Sequence, residues 1–113
     1  MKVVSTPVTL DEIRRMAEER FGNMVKAVVD VELGVMALDA ELHADEEAGL
    51  LAQGCRQENL WGINLYPDLS DDEWIEFDSM INLRPSLGNR TRSVGSPEIR
   101  KKIVAIVNTL VTR

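Results

Sequence analysis

The clearest structural signal in this chain is in residues 24–42, which read MVKAVVDVELGVMALDAEL. Every second residue is apolar over 24–31, and the same period of two returns over 35–42, as expected of strands with two different faces. Gly34, between the two, can supply the positive backbone φ of a tight turn. The stretch therefore predicts a β-hairpin.

A second pair of strands is predicted further along the chain. Alternating residues over 61–66 end at Pro67, a polar turn covers 68–72, and another apolar face runs over 75–83. Strands joined mostly by short turns favour antiparallel pairing. We therefore expect a four-stranded, mainly antiparallel sheet made of two hairpins.

Three helices complete the predicted α+β fold. The capping box over 9–12 begins a helix over 10–21, the acidic run 45–47 begins a short second helix, and Ser96 with Pro97 begins the last one. The resulting order is helix, hairpin, helix, hairpin, helix. This order predicts helices that pack mostly on one face of the sheet.

Length and composition favour a single domain over residues 1–113, because 44% of the chain is hydrophobic and 28% is charged. No apolar run is long enough for a signal peptide or a membrane span, so we expect a cytoplasmic protein that makes no membrane contact. Cys55 is the only cysteine, which excludes an intrachain disulfide and a four-cysteine zinc site.

Charge is distributed unevenly along the chain. Residues 1–83 contain 6 basic and 18 acidic side chains, a balance of −12, whereas residues 84–113 contain 7 basic and 1 acidic, a balance of +6. The net charge of −6 disfavours broad nucleic-acid binding, while the basic end permits one local anion site. Alternatively, the basic end packs beside acidic surface of its own fold or of a second subunit.

The basic end includes a loop over 84–97 that carries three arginines. Guanidinium groups and the free amides at the start of the last helix both favour phosphate or carboxylate. The alternative is that Arg84 pairs with Glu76 or Asp78 on its own strand, while the other arginines lie in solvent or contact a partner subunit. The loop predicts a small-anion site whose candidate ligands are Arg84, Asn89, Arg90 and Arg92.

A second candidate site surrounds the only histidine. Glu41, His43 and Asp45 offer nitrogen and oxygen ligands that could share a divalent metal ion. Their spacing matches no established zinc motif, and acidic residues at a helix start are also explained by the helix dipole, with Asp45 as the cap. Metal binding and capping both stay open, and no cofactor is indicated.

On the predicted strand from Trp74 to Asn82, one face combines Trp74 and Met80 with the polar residues Glu76, Asp78 and Asn82. If the helices cover the other face of the sheet, this surface and Val28 are left available for burial against a second copy. We therefore expect a homodimer.

Several strings resemble a family of small prokaryotic proteins known only as a domain of unknown function. They are ELHADEE over 41–47, LWGINLYP over 60–67 and IEFDSMIN over 75–82. The resemblance implies no activity, cofactor or catalytic residue. One departure is that Asp39 and Ala40 occupy positions where the family pattern leads us to expect a Gly-Gly pair.

Two functions fit these features. The first is a noncatalytic binding or interaction module that holds a small anion at the 84–97 loop. The alternative is a small metal-dependent hydrolase or nuclease-like enzyme that acts on a phosphate-bearing substrate, with His43 and its carboxylates on the metal. The enzyme requires Glu41, His43 and the arginines to converge on one cleft.

Overall fold

A computed structural model describes residues 1–113 as an α+β fold built on a five-stranded sheet. In chain order its elements are β1 (Lys2–Val4), β2 (Val8–Thr9), α1 (Leu10–Arg20), β3 (Val25–Asp30), β4 (Val35–Leu38), α2 (His43–Ala52), β5 (Leu60–Leu65), β6 (Ile75–Glu76), α3 (Pro97–Leu110) and β7 (Val111–Thr112). The sheet order is β1-β4-β3-β5-β6 with every neighbouring pair antiparallel, and β2 and β7 form a separate parallel pair. No helix has the length and apolarity needed to cross a bilayer.

The structure confirms the predicted α+β class, the three helices and the mainly antiparallel sheet, but the prediction of four strands is wrong. The fifth strand is β1, which pairs with β4 through the register Val3↔Ala37. A three-residue strand is too short to show a period of two in the sequence. Only its pairing with the hairpin identifies it.

Helices α1 and α3 pack on one face of the sheet, against an apolar core of 18 buried residues. Burying one large aliphatic side chain stabilises a fold by about 1.5–3 kcal/mol, so this core is the main source of stability. Four of its fully buried members are Ile13 of α1, Ile103 of α3, Val29 of β3 and Ile63 of β5.

Helix α2 covers the opposite face of the sheet. Leu50 of α2 packs with Val28, Ala37 and Leu60 in a second cluster of only 5 buried residues. Because β3 and β4 carry apolar side chains on both faces, the sheet can be covered from both sides. The expected packing of helices on one face therefore describes α1 and α3 but not α2.

The predicted strand over 75–83 is reduced to the two residues of β6, and a 3-10 turn follows at Met80–Asn82. The Asn82 carboxamide takes the place of the missing strand: its Oδ1 accepts from the Gly62 N–H (2.8 Å) and its Nδ2 donates to the Gly62 carbonyl (2.9 Å). A Cβ on Gly62 would lie 2.6 Å from the Ser79 Oγ, so only glycine allows this close approach. One side chain thus pairs with β5 beyond the end of β6.

The surface from which we inferred a homodimer is largely internal. Val28 is fully buried beneath α2, Trp74 is buried in the core on the α1 and α3 face, and Asn82 is fully buried as well. Met80, at 62%, and Glu76 are the members of this surface that stay exposed. The homodimer remains a prediction, but the stated reason for it is removed.

Candidate functional site

The three predicted metal ligands do not converge. The Glu41 carboxylate lies 3.6 Å from Arg20 Nη1, Asp45 is exposed in the first turn of α2, and His43 turns toward the sheet. No group of three or more His, Cys, Asp and Glu side chains lies close enough together to hold a metal ion. Helix α2 also begins at His43 without any side-chain cap, so Asp45 does not cap it.

Asn89 organises the arginine loop from within. Its Nδ2 donates to the carbonyls of Asn82 (2.6 Å), Thr91 (3.2 Å) and Ser93 (2.7 Å), while its Oδ1 accepts from the Gly95 N–H (3.0 Å). The side chain is buried, and both ends of its amide are occupied. Asn89 therefore holds the loop in one shape.

The three loop arginines point to different surroundings. Arg84 pairs with Glu47 at 3.2 Å and stacks over the Trp61 ring at 5.2 Å, where burial lowers the guanidinium pKa against the opposing effect of Glu47. Arg92 forms a two-pronged pair with Asp78, at 2.9 and 3.4 Å. Arg90 is exposed, and its side chain forms no ion pair and no contact with an aromatic ring. The loop is held in one shape, but its three arginine side chains do not converge on one site.

Arg92 and His43 instead meet at another cavity of about 180 Å³. We call it the His43 cavity. It lies between β3, the start of α2 and the chain that follows β6. Its lining residues are Lys26, Leu42, His43, Ala44, Ser79, Met80, Ile81 and Arg92.

His43 is held as a neutral ring with a defined tautomer. Its Nε2 lies 2.8 Å from the Ile63 carbonyl, which can only accept, so Nε2 carries the proton and Nδ1 is an acceptor. Burial lowers the pKa of His43 and the charge of nearby Lys26 adds to this effect, against the opposing effects of the hydrogen bond to Ile63 and of the Asp78 carboxylate. The positive charge at this cavity therefore comes from Lys26 and Arg92.

Lys26 is the residue that sequence reasoning missed. It is the one basic residue in β3, a strand otherwise almost fully buried, and its Nζ forms no salt bridge. Its Nζ lies over the Phe21 ring, 5.2 Å from the ring centroid, in a cation–π contact. A lysine within a mostly apolar strand can indicate a functional residue. The sequence alone does not show which elements would surround it.

The start of α2 adds two hydrogen-bond donors. The backbone N–H groups of His43 and Ala44 donate to no acceptor in the chain, because the residue before the helix is Leu42. Free amides at a helix start carry partial positive charge and favour anions. The cavity thus combines two basic side chains with two free amides.

Comparison with known families agrees with the resemblance seen in the sequence. The sequence model of a family described as "Protein of unknown function (DUF5674)" matches residues 2–110. No curated protein and no solved structure matches the chain. The comparisons therefore bring no activity or ligand, and the chemistry of the site must carry the functional argument.

Proposed function

We propose that this chain, which belongs to the DUF5674 family of unknown function, is a noncatalytic binding module that holds a small anion in the His43 cavity. One observation carries the proposal. Of the five main cavities, each has a basic side chain in its lining, but only the His43 cavity has no carboxylate there. The net charge of the chain is −6, so a cavity lined by basic side chains without carboxylates has a local charge opposite to that of the whole chain.

The groups around the cavity supply the contacts that an anion needs. Lys26 provides an ammonium without a carboxylate partner, and the two free amides of α2 provide oriented donors. Ser79 Oγ accepts from the Ile81 N–H at 3.3 Å, so its own hydrogen is free to donate. A charged head could therefore be bound by side chains and backbone together.

The size of the cavity limits the ligand. Its volume of about 180 Å³ is roughly that of six water molecules and lies below the usual range of drug-sized pockets, about 300–1,000 Å³. A carboxylate, a phosphate or the charged end of a larger molecule fits this space. A nucleotide does not.

This proposal changes which residues bind. Of the four predicted anion ligands, only Arg92 lines the cavity. Arg84 and Asn89 bind other groups of the chain elsewhere. The metal-dependent enzyme required Glu41 beside His43, whereas Glu41 pairs with Arg20. That alternative stays a prediction that no contact favours.

The test is a titration of the ¹⁵N-labelled protein with inorganic phosphate and with acetate, two small anions. We expect the His43 and Ala44 amide signals to shift, and Lys26→Met to weaken binding about tenfold or more, because a hydrogen bond to a charged group is worth about 1.5–3 kcal/mol. Arg90→Met is the matched control, since it removes the same charge from an exposed side chain. Equal weakening by both variants, or no amide shift, would reject the proposal.

A further inference from the structure

Of the 8 residues that line the His43 cavity, 4 are hydrophobic. Leu42 and Met80 are its two large apolar lining residues that are exposed, with 55% and 62% of their surface accessible. They belong to the two segments that also bring His43 and Ser79 to the cavity, and we call them its rim. The charged groups and the apolar rim therefore share one small space.

Leu42 is an unusual residue for its position. It is the N-cap of α2, where Ser, Thr, Asp or Asn would normally accept hydrogen bonds from the first amides of the helix. A leucine leaves those amides free and adds apolar surface beside them. Both consequences suit a ligand that has an acceptor head and an apolar tail.

The charge of the cavity indicates which head it accepts. Arg92 already shares its charge with Asp78, and His43 is neutral, so Lys26 supplies the one uncompensated positive charge in the lining. A single positive charge is balanced by a monoanion. A carboxylate meets this condition over the whole neutral pH range.

We infer that the ligand of the His43 cavity is a short aliphatic carboxylate. Its head lies between Lys26 and the free amides of α2, and its chain leaves the cavity between Leu42 and Met80. The inference rests on the proposed anion-binding function and adds to it the chemical class of the ligand. The small volume places the head and the first few carbons inside, with the next carbons against the two rim residues.

A chain-length series tests this directly, with acetate, butyrate, hexanoate and octanoate titrated by calorimetry or NMR. We expect affinity to rise by up to about fourfold per methylene, the value for a methylene that leaves water completely. The rise should stop near hexanoate, where the chain reaches solvent. Met80→Ser should flatten the series, because it should lower the affinity for hexanoate more than the affinity for acetate.

Leu33→Ser is the matched control, because Leu33 is exposed to the same degree as Met80 (62%) but does not line the cavity. It should leave the whole series unchanged. If acetate binds through Lys26 but all chain lengths bind equally, the aliphatic ligand is rejected and the anion site stands. If neither acetate nor phosphate binds, both proposals fail.

A second copy of the chain is the competing occupant of the rim. Sedimentation would then show a dimer that Met80→Ser dissociates, with the affinity for hexanoate unchanged. That result would overturn the inference by assigning Leu42 and Met80 to a protein interface. A wild-type monomer that binds hexanoate more tightly than acetate supports it.

Discussion

The two faces of the sheet differ in what they bury. The α1 and α3 face encloses 18 apolar residues, whereas the α2 face has an apolar cluster of 5. All six buried polar side chains lie on the α2 side or in the chain after β6 that packs beside it: Asp30, Glu46, Asn64, Ser79, Asn82 and Asn89. The first face is held together by apolar burial, whereas the second also depends on buried polar side chains such as Asn82 and Asn89, which bind the backbone.

The largest expected effect is at Asn82, which joins the polar segment to the sheet. Asn82→Ala should lower the free energy of unfolding by about 4 kcal/mol, because it leaves buried backbone groups of Gly62 unpaired at about 1–3 kcal/mol each. Denaturant unfolding measures the change. Asn108→Ala, at an exposed asparagine of α3, is the control and should change stability by less than about 0.5 kcal/mol. A loss below about 1 kcal/mol at Asn82 would show that water replaces its carboxamide.

A substitution on the apolar face should lower the stability of the protein without changing anion binding in the His43 cavity. Ile103→Ala removes a fully buried side chain of α3 and should lower the free energy of unfolding by about 3 kcal/mol. Acetate affinity, measured where the variant is folded, should stay that of the wild type. If affinity falls as well, the two faces are not independent.

Sequence patterns predicted the elements that depend on local rules. The hairpin appears as β3 and β4 with Gly34 at a φ of 71°, and Thr9 caps α1 by accepting from the Glu12 N–H at 3.1 Å. Ser96 likewise caps α3 ahead of Pro97. These signals lie within a few residues of each other, so the sequence shows them directly.

The site could not be predicted in the same way, because its parts come together only in the folded chain. Lys26, His43 and Arg92 meet through strand pairing, the start of α2 and a loop held by asparagines. The apolar residues of 75–83 predicted a strand, but two side-chain hydrogen bonds from Asn82 replaced its ladder. Side-chain pairing of this kind leaves no periodic pattern in a sequence.

The pH dependence of stability should come in part from Glu46 on the polar face. Burial raises the pKa of this carboxyl to about 9, against the opposing hydrogen bond from the Ala40 N–H. Between 4.5 and about 9 the folded state therefore holds a proton that the unfolded state releases, so stability falls as pH rises through this window. From pH 6 to pH 8 the loss should be on the order of 3 kcal/mol.

Glu46→Gln should remove most of that loss, because glutamine is neutral at every pH in the window. Thermal unfolding of both proteins at pH 6 and pH 8 provides the comparison. Parallel changes in the two proteins would mean that the Glu46 carboxyl already ionises near its ordinary pKa. Burial of the Glu46 carboxyl would then cost the folded state less free energy than its position in the structure indicates.

The most direct test of the anion site is the pKa of His43, followed by NMR with and without acetate. Without a ligand we expect a value below the ordinary 6.5, because the ring is buried and Lys26 is near. A bound anion beside the ring should raise the pKa of His43, because it favours the charged ring, and Lys26→Met should abolish that rise. A His43 pKa that acetate leaves unchanged at saturating concentration would contradict the account.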